Sequence, residues 1–428
     1  MRTPVPEYLH QVMGECSRND RGSVADYIPQ LAQVDPDRFG LAITVTDGET
    51  YVIGDKQPFT IQSMAKPFVY ALALSERGMR TVMERVGVDP SGDAFHKISL
   101  GEDGRPLNPM INVGAIVTHA LVGGDDIDTY ERFERVKAGL ERFAGRELEL
   151  DEAVYESEFE HSFRNRALAN MVRHYGIVQQ DPRELVREYT RQSAINVTTR
   201  DLAVMGATLA TGGVNPITGE TVVEPWVAKQ VLSVMLTCGM YDAAGDWMTQ
   251  VGMPAKSGVS GGIMAALPGQ GGIAIFSPKL DDSGTSVRAA RAFRRLSRDM
   301  NMHLMDTAHI VDSPIRSRGT RIIDGEPASL FQLQGSLNFA TMEFLLRQFE
   351  GIPDEGQLVV IDLSRVTTVN MVGEYMLAEG IRRLREDGHA VTVIDPDRDL
   401  RGTSTDADIV TVEPEEVRQA IADEPLLG

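Results

Sequence analysis

An α+β fold, an antiparallel sheet beside a cluster of helices, followed by a small α/β domain, is what this sequence predicts. Three observations carry the expectation. Strand-like patterns stand near residues 41–53 and again at 273–277, with helical patterns filling the interval, so strands from both ends can meet in one antiparallel sheet. At 428 residues the chain is too long for one ordinary domain. After about residue 300 the composition shifts, and short strand and helix patterns alternate from there on. The expected division is a first domain over 1–302, a linker over 303–317 and a second domain over 318–428.

Each element has its reason. Residues 1–36 read as helical, with a loop near Asn19-Asp20-Arg21-Gly22. Leu41–Val45 and Tyr51–Ile53 alternate around Asp47-Gly48, as a hairpin does. A helix begins close to Ser63, because Pro67 is best tolerated in a first turn, and runs to about Arg77. Apolar residues at i, i+3, i+4 spacing predict helices within 113–145 and 163–192. Thr199-Arg200-Asp201 opens another helix, closed by Thr211-Gly212-Gly213. Pro225–Cys238 is helical, 273–277 a strand and 285–299 a basic helix. The second domain alternates strands at 320–323, 328–334, 358–363, 390–394 and 409–412 with helices at 339–350, 372–387 and 414–423. No internal repeat interrupts this order.

Composition excludes several classes. Lys plus Arg total 42 and Asp plus Glu total 62, a net charge of −20, which argues against nucleic acid as a main partner. The two cysteines, Cys16 and Cys238, form no disulfide framework and no metal-ligand spacing, so a reducing, cytoplasmic compartment is expected. The start, Met1-Arg-Thr-Pro-Val-Pro-Glu7, has no apolar core of a signal peptide. Ser257–Pro278 carries no charge over 22 residues, but its six glycines and Pro268 mark buried strands and a turn rather than a membrane span.

The chemistry concentrates at Ser63-Met-Ala-Lys66. Residues three apart on a helix share a face, and a lysine amine with a lowered pKa can take the proton from a serine hydroxyl. Ser63 at a helix start also has free backbone N–H groups nearby, which can hold an oxyanion. Asn108 and Asn112 precede an apolar helix, where capping is the plain alternative. Glu158 and Asn165 lie seven apart, as on one helix face. Lys256-Ser257-Gly258 reads as a short basic turn before a glycine-rich strand, with an exposed lysine as the plain alternative to the pocket-lining Lys-Thr-Gly or Lys-Ser-Gly strand of penicillin-recognising serine hydrolases.

Five segments in order resemble the serine-dependent glutaminases, which share the β-lactamase/DD-peptidase-like fold. They are Gly22–Pro29, Phe59–Lys66, Asn108–Ile116, Cys238-Gly-Met-Tyr-Asp242 and Val251–Val259, and the resemblance runs from about Gly22 to Leu296. It implies Ser63 as nucleophile and Lys66 as its base, with Asn112, Glu158, Asn165, Tyr189, Tyr241 and Val259 at the substrate. Glu158 suits an α-ammonium, and the N–H groups of Ser63 and Val259 suit an oxyanion. Tyr189 or Tyr241 would pass a proton to leaving ammonia, although Tyr189-Thr-Arg-Gln-Ser-Ala-Ile-Asn-Val197 departs from the family's Cys-Ser before the isoleucine.

The resemblance implies an L-glutamine amidohydrolase without metal or organic cofactor, assembled as a homo-oligomer, dimer or tetramer. The second domain resembles a STAS domain through Phe331–Phe339 and Val359–Val369. Regulatory members carry a phosphorylated serine where this chain has Asn370-Met-Val-Gly373, so docking or self-association is the expected role and a protein partner is possible. Two rivals share these motifs: a β-lactam or peptide hydrolase of the same fold, and a glutamine-sensing STAS signalling protein without turnover. Glu158 with Asn165 speaks against the first, and the intact Ser63–Lys66 pair against the second.

Overall fold

The computed structural model describes residues 5–26, 28–91, 100–125, 127–300, 302–306, 314–323, 326–337, 339–349, 351–352, 356–369, 371–396 and 408–410. It divides into two compact units, residues 1–306 and 307–428.

The first unit runs through α1 (Val5–Cys16), α2 (Pro29–Ala32), β1 (Gly40–Val45), β2 (Thr50–Gly54), β3 (Phe59–Thr60), α3 (Lys66–Arg85), α4 (Asn112–Leu121) and α5 (Thr129–Ala144). It continues with β4 (Glu149–Leu150), α6 (Glu152–Glu160), α7 (Phe163–His174), α8 (Pro182–Ser193), β5 (Ile195–Val197), α9 (Thr199–Ala210) and α10 (Pro225–Cys238). It ends with α11 (Ala244–Gln250), β6 (Ala255–Ser257), β7 (Gly262–Leu267), β8 (Gly271–Phe276) and α12 (Val287–Met300).

The main sheet has the order β2-β1-β8-β7-β6, every pair antiparallel. Residues 40–45 pair with 271–276. Strands from the two ends of the unit therefore close one sheet, as the sequence order predicts. Alternation explains why it is buried on both faces. Leu41, Ile43, Ile263, Ile273 and Ile275 pack with Leu9 of α1 and Phe293 and Leu296 of α12. Ala42, Met264, Ala274 and Phe276 turn the other way, into the helical cluster. The uncharged stretch after Ser257 is thus two core strands.

Three expectations change. The helical reading of residues 1–36 holds only over α1 and α2: beyond the expected loop at Asn19–Gly22, residues 23–26 and 28 also lie outside any helix, and Ser23 pairs with Leu280. Gly22 has φ +88, and a Cβ there would lie 2.5 Å from the Leu280 carbonyl oxygen, so a helix cannot pass. Glu158 and Asn165 are not on one helix, because α6 ends at Glu160 and α7 starts at Phe163. The Ser162 hydroxyl donates to the Phe159 carbonyl and breaks the continuity. The span expected as linker, 303–317, ends inside a strand that begins at Ile315.

The second unit comprises β9 (Ile315–Ile323), β10 (Glu326–Leu337), α13 (Phe339–Phe349), β11 (Leu358–Val369), α14 (Met371–Glu386), β12 (Ala390–Ile394) and β13 (Asp408–Val410). Its sheet order is β13-β12-β11-β10-β9, parallel except for the β9–β10 hairpin. Phe331, Leu333, Val359, Ile361 and Val393 of the sheet pack against Met342 and Leu345 of α13 and Leu377 and Ile381 of α14. The expected helix 414–423, residues 411–412, and Asn370 of the Asn370–Gly373 stretch lie outside the described residues.

Candidate active site

The site lies where the edge of the main sheet meets the helical cluster. Gln62–Ala65 forms one 3-10 turn ahead of α3, with Pro67 at the start of the α-helix. Gln62 takes φ 51, a left-handed conformation that is unfavourable for a residue with a Cβ. That kink projects Ser63 at the head of the helix. Its N–H precedes the first bonds of the turn and is available to an incoming group. Gln62 is itself buried and donates from Nε2 to Glu158 at 3.1 Å. The other non-glycine residue with positive φ among those described is Tyr241, at φ 54. Both strained residues stand at this site.

A cavity of about 370 Å³ is lined by Ser63, Asn112, Glu158, Asn165, Tyr189, Tyr241 and Val259, together with residues including Gln62, Arg164, Ser193 and Ser257. The seven residues named from sequence thus share one cavity. They come from the head of α3, the head of α4, α6, α7, α8, the turn before α11 and the loop after β6.

A chain of hydrogen bonds runs across its floor. The Tyr241 hydroxyl lies 3.4 Å from Ser63 Oγ and 3.3 Å from Lys66 Nζ. Lys66 Nζ donates to Asn112 Oδ1 at 2.6 Å, and Asn112 Nδ2 donates to Asn165 Oδ1 at 3.1 Å. Among the described residues, no hydrogen bond joins Lys66 directly to Ser63; the Tyr241 hydroxyl bonds to both. Asn112 is no cap, because its side chain is spent on Lys66 and Asn165. Asn108 does take the local role, accepting from the Met110 N–H.

Lys256 is not an exposed turn residue. It is on β6, fully buried, with Nζ 4.0 Å from the centre of the Tyr241 ring and donating to the Ser257 carbonyl at 2.9 Å. The signal for this in the sequence is the Lys256-Ser257-Gly258 match to a pocket-lining strand, rather than the turn reading.

The electrostatics follow from burial and these neighbours. Burial raises the Tyr241 phenol, but the charges of Lys256 and Lys66, with the hydrogen bonds it shares with Ser63 and Lys66, outweigh it and bring it down to about 7. Burial lowers Lys256 to about 8, with the Tyr241 phenolate opposing. Burial raises Glu158 to about 7, against the Gln62 hydrogen bond and the charge of Lys66. The site therefore holds an acidic phenol beside a serine hydroxyl, a pattern suited to moving a proton near neutral pH. No cluster of His, Cys, Asp and Glu able to hold a metal occurs among the described residues. No helix among them is long and apolar enough to cross a membrane.

Comparison with known proteins covers the segment that holds this cavity. A family model described as Glutaminase matches residues 22–305, and one described as STAS domain matches 320–420. The chain is 45% identical over 395 residues to the glutaminase of Corynebacterium glutamicum, covering 92% of this chain and 95% of that one. It is 47% identical over 310 residues to the glutaminase of Trichormus variabilis, covering 72% of this chain and 92% of that one. Among solved structures, Mglu superposes with a TM-score of 0.85 at 45% identity, over 93% of this chain and all of that chain. A probable glutaminase from Bacillus subtilis, complexed with 6-diazo-5-oxo-L-norleucine, gives a TM-score of 0.65 at 32% identity, over 71% of this chain and 98% of that one.

Proposed function

The chain belongs to the glutaminase family, and we propose that it hydrolyses the γ-carboxamide of L-glutamine through a γ-glutamyl ester on Ser63. The observation that carries the mechanism is the hydrogen-bonded chain Ser63–Tyr241–Lys66–Asn112–Asn165 along the cavity floor.

Ser63 Oγ attacks the amide carbon. Its proton passes to the Tyr241 oxygen, which the charges of Lys256 and Lys66 hold as a phenolate, so Lys66 assists the transfer as a charged partner of Tyr241 and does not itself take the proton. The N–H groups of Ser63 and Val259 take the developing oxyanion. The carbon–nitrogen bond then breaks and the nitrogen leaves as ammonia with the proton returned from Tyr241. Tyr189, on the cavity wall, is the second candidate for that transfer. Water, deprotonated by the same relay, attacks the ester and releases L-glutamate. Glu158 faces the α-ammonium, and Asn165 hydrogen-bonds the amino-acid end. These steps use side chains and backbone alone.

The C-terminal STAS domain is assigned protein contact, with a second copy of the chain in a homo-oligomer or with a regulator. A cytoplasmic location agrees with Cys16 and Cys238 being buried and unpaired. The test is ammonia release from L-glutamine, with intact-mass analysis after exposure to 6-diazo-5-oxo-L-norleucine. Turnover and an adduct on Ser63 support the reading; turnover retained by Ser63→Ala would place the nucleophile elsewhere.

A further inference from the structure

We infer that Arg164 is the counter-ion of the substrate's α-carboxylate and sets the preference of this site for a free amino acid. The inference rests on the proposed glutamine reading and deepens it. A zwitterionic amino acid brings two charges on one carbon. Glu158 answers the ammonium, so the carboxylate must lie within a few ångströms of that same wall. Among the described residues lining the cavity, Arg164 is the only lysine or arginine. Lys66 is committed to Asn112 and Tyr241, and both ends of the Asn112 amide are used.

Arg164 is adjacent to Asn165 and lies just across the α6–α7 turn from Glu158. No ion pair or hydrogen bond among the described residues engages its guanidinium. It also occupies the first turn of α7, where the helix dipole disfavours a cation. The neighbouring Arg166, by contrast, is held by the Phe159 carbonyl and stacks on that ring. Burial alone acts on the Arg164 charge, lowering its pKa, with no carboxylate opposing. A partly desolvated guanidinium, open to a cavity and without a counter-charge, is matched by a carboxylate arriving with the ligand.

The test compares L-glutamine with its α-amide, in which the carboxylate charge is removed, on wild type, Arg164→Ala and Arg164→Lys. The KM for L-glutamine should rise about tenfold in Arg164→Ala, the loss of one exposed charge-assisted contact, with kcat altered far less. The α-amide, measured as substrate or as competitive inhibitor, should not distinguish wild type from Arg164→Ala. Arg164→Lys should recover part of the loss, and salt should weaken glutamine binding by wild type more than by Arg164→Ala. Equal KM values for L-glutamine, or an equal loss for both ligands, overturns the inference while leaving the hydrolase reading intact. A wild-type protein that releases no ammonia from glutamine overturns the hydrolase reading and this assignment with it.

Discussion

In the proposed mechanism Ser63, Tyr241 and Lys66 work as one unit, so removing any of them should be nearly as costly as removing all. Ser63→Ala and Lys66→Ala should each lower kcat by roughly 10⁴ or more. Tyr241→Phe keeps the ring on Lys256 but breaks both hydroxyl bonds, and it should fall in the same range. Steady-state ammonia release on variants with unchanged circular dichroism decides the matter; a Tyr241→Phe enzyme within tenfold of wild type would restore a direct Ser63–Lys66 exchange. The pH dependence separates two groups. Burial and neighbouring charge bring Tyr241 and Glu158 both to about 7, and the proposed reaction needs both deprotonated. Wild-type log kcat/KM should therefore climb from pH 5 to 8 with a limiting slope near two, since this parameter reports the free enzyme. Glu158→Gln should lose one of those steps as well as affinity for glutamine. An unchanged slope in that variant would remove Glu158 from the ammonium site.

Helix packing at this scale depends on close backbone approach. Gly272 of β8 lies under α9, where a Cβ would stand 2.1 Å from the Ala203 carbonyl oxygen and 2.2 Å from the Ala207 nitrogen. Both obstacles are backbone, so neither can rotate away. Gly272→Ala should lower stability by about 2–3 kcal/mol or more, read as the denaturant midpoint; an unaltered midpoint would mean that α9 can lift from the sheet without cost.

On α8, Tyr189 faces the cavity while Glu188 points into a buried cluster. Glu188 is 3% exposed, and burial raises it to about 7 despite the charges of Arg191 and Arg187. Its folded pKa is above the unfolded value, so the carboxyl binds its proton more tightly when folded. That contribution to stability is present below about pH 4.5 and disappears as pH rises to about 7. Glu188→Gln should thus gain relative to wild type at pH 8 compared with pH 5, by about 2 kcal/mol. Thermal melts at the two pH values measure this, and a difference of zero or opposite sign would show that the Arg191 pairing dominates.

The whole chain divides its labour between two units. Every described residue lining the candidate site belongs to the first, and the second has its own core between its sheet and α13 and α14. A chain ending near residue 310 should remain folded and keep kcat/KM within about threefold, while its mass in solution or its regulation changes. Light scattering beside the ammonia assay tests this. A folded but inactive truncation would mean that the STAS domain helps to build the active site. The Asn370–Gly373 stretch lacks the hydroxyl that a phosphate switch modifies, so incubation with a kinase should leave this position unlabelled.

Local pattern was enough for the order of elements, the hairpin at Asp47-Gly48, the helix opened at Ser63 and the alternation of the second domain. These depend on residues two to four apart, whose periodicity and turn chemistry act before any tertiary contact. The family resemblance also named seven residues that line the cavity, Ser63, Asn112, Tyr241 and Val259 from within the matching segments and Glu158, Asn165 and Tyr189 from outside them. Tertiary structure alone decided the rest. Tyr241 lies 178 residues from Ser63, yet its hydroxyl bonds to both that serine and Lys66. Lys256 reads as a turn lysine until the sheet buries it over the Tyr241 ring. Glu158 and Asn165 keep their place at one cavity although a break at Ser162 puts them on different helices. Burial and neighbouring charge set the acidity of Tyr241 and Glu158, and both arise only when distant segments exclude water together.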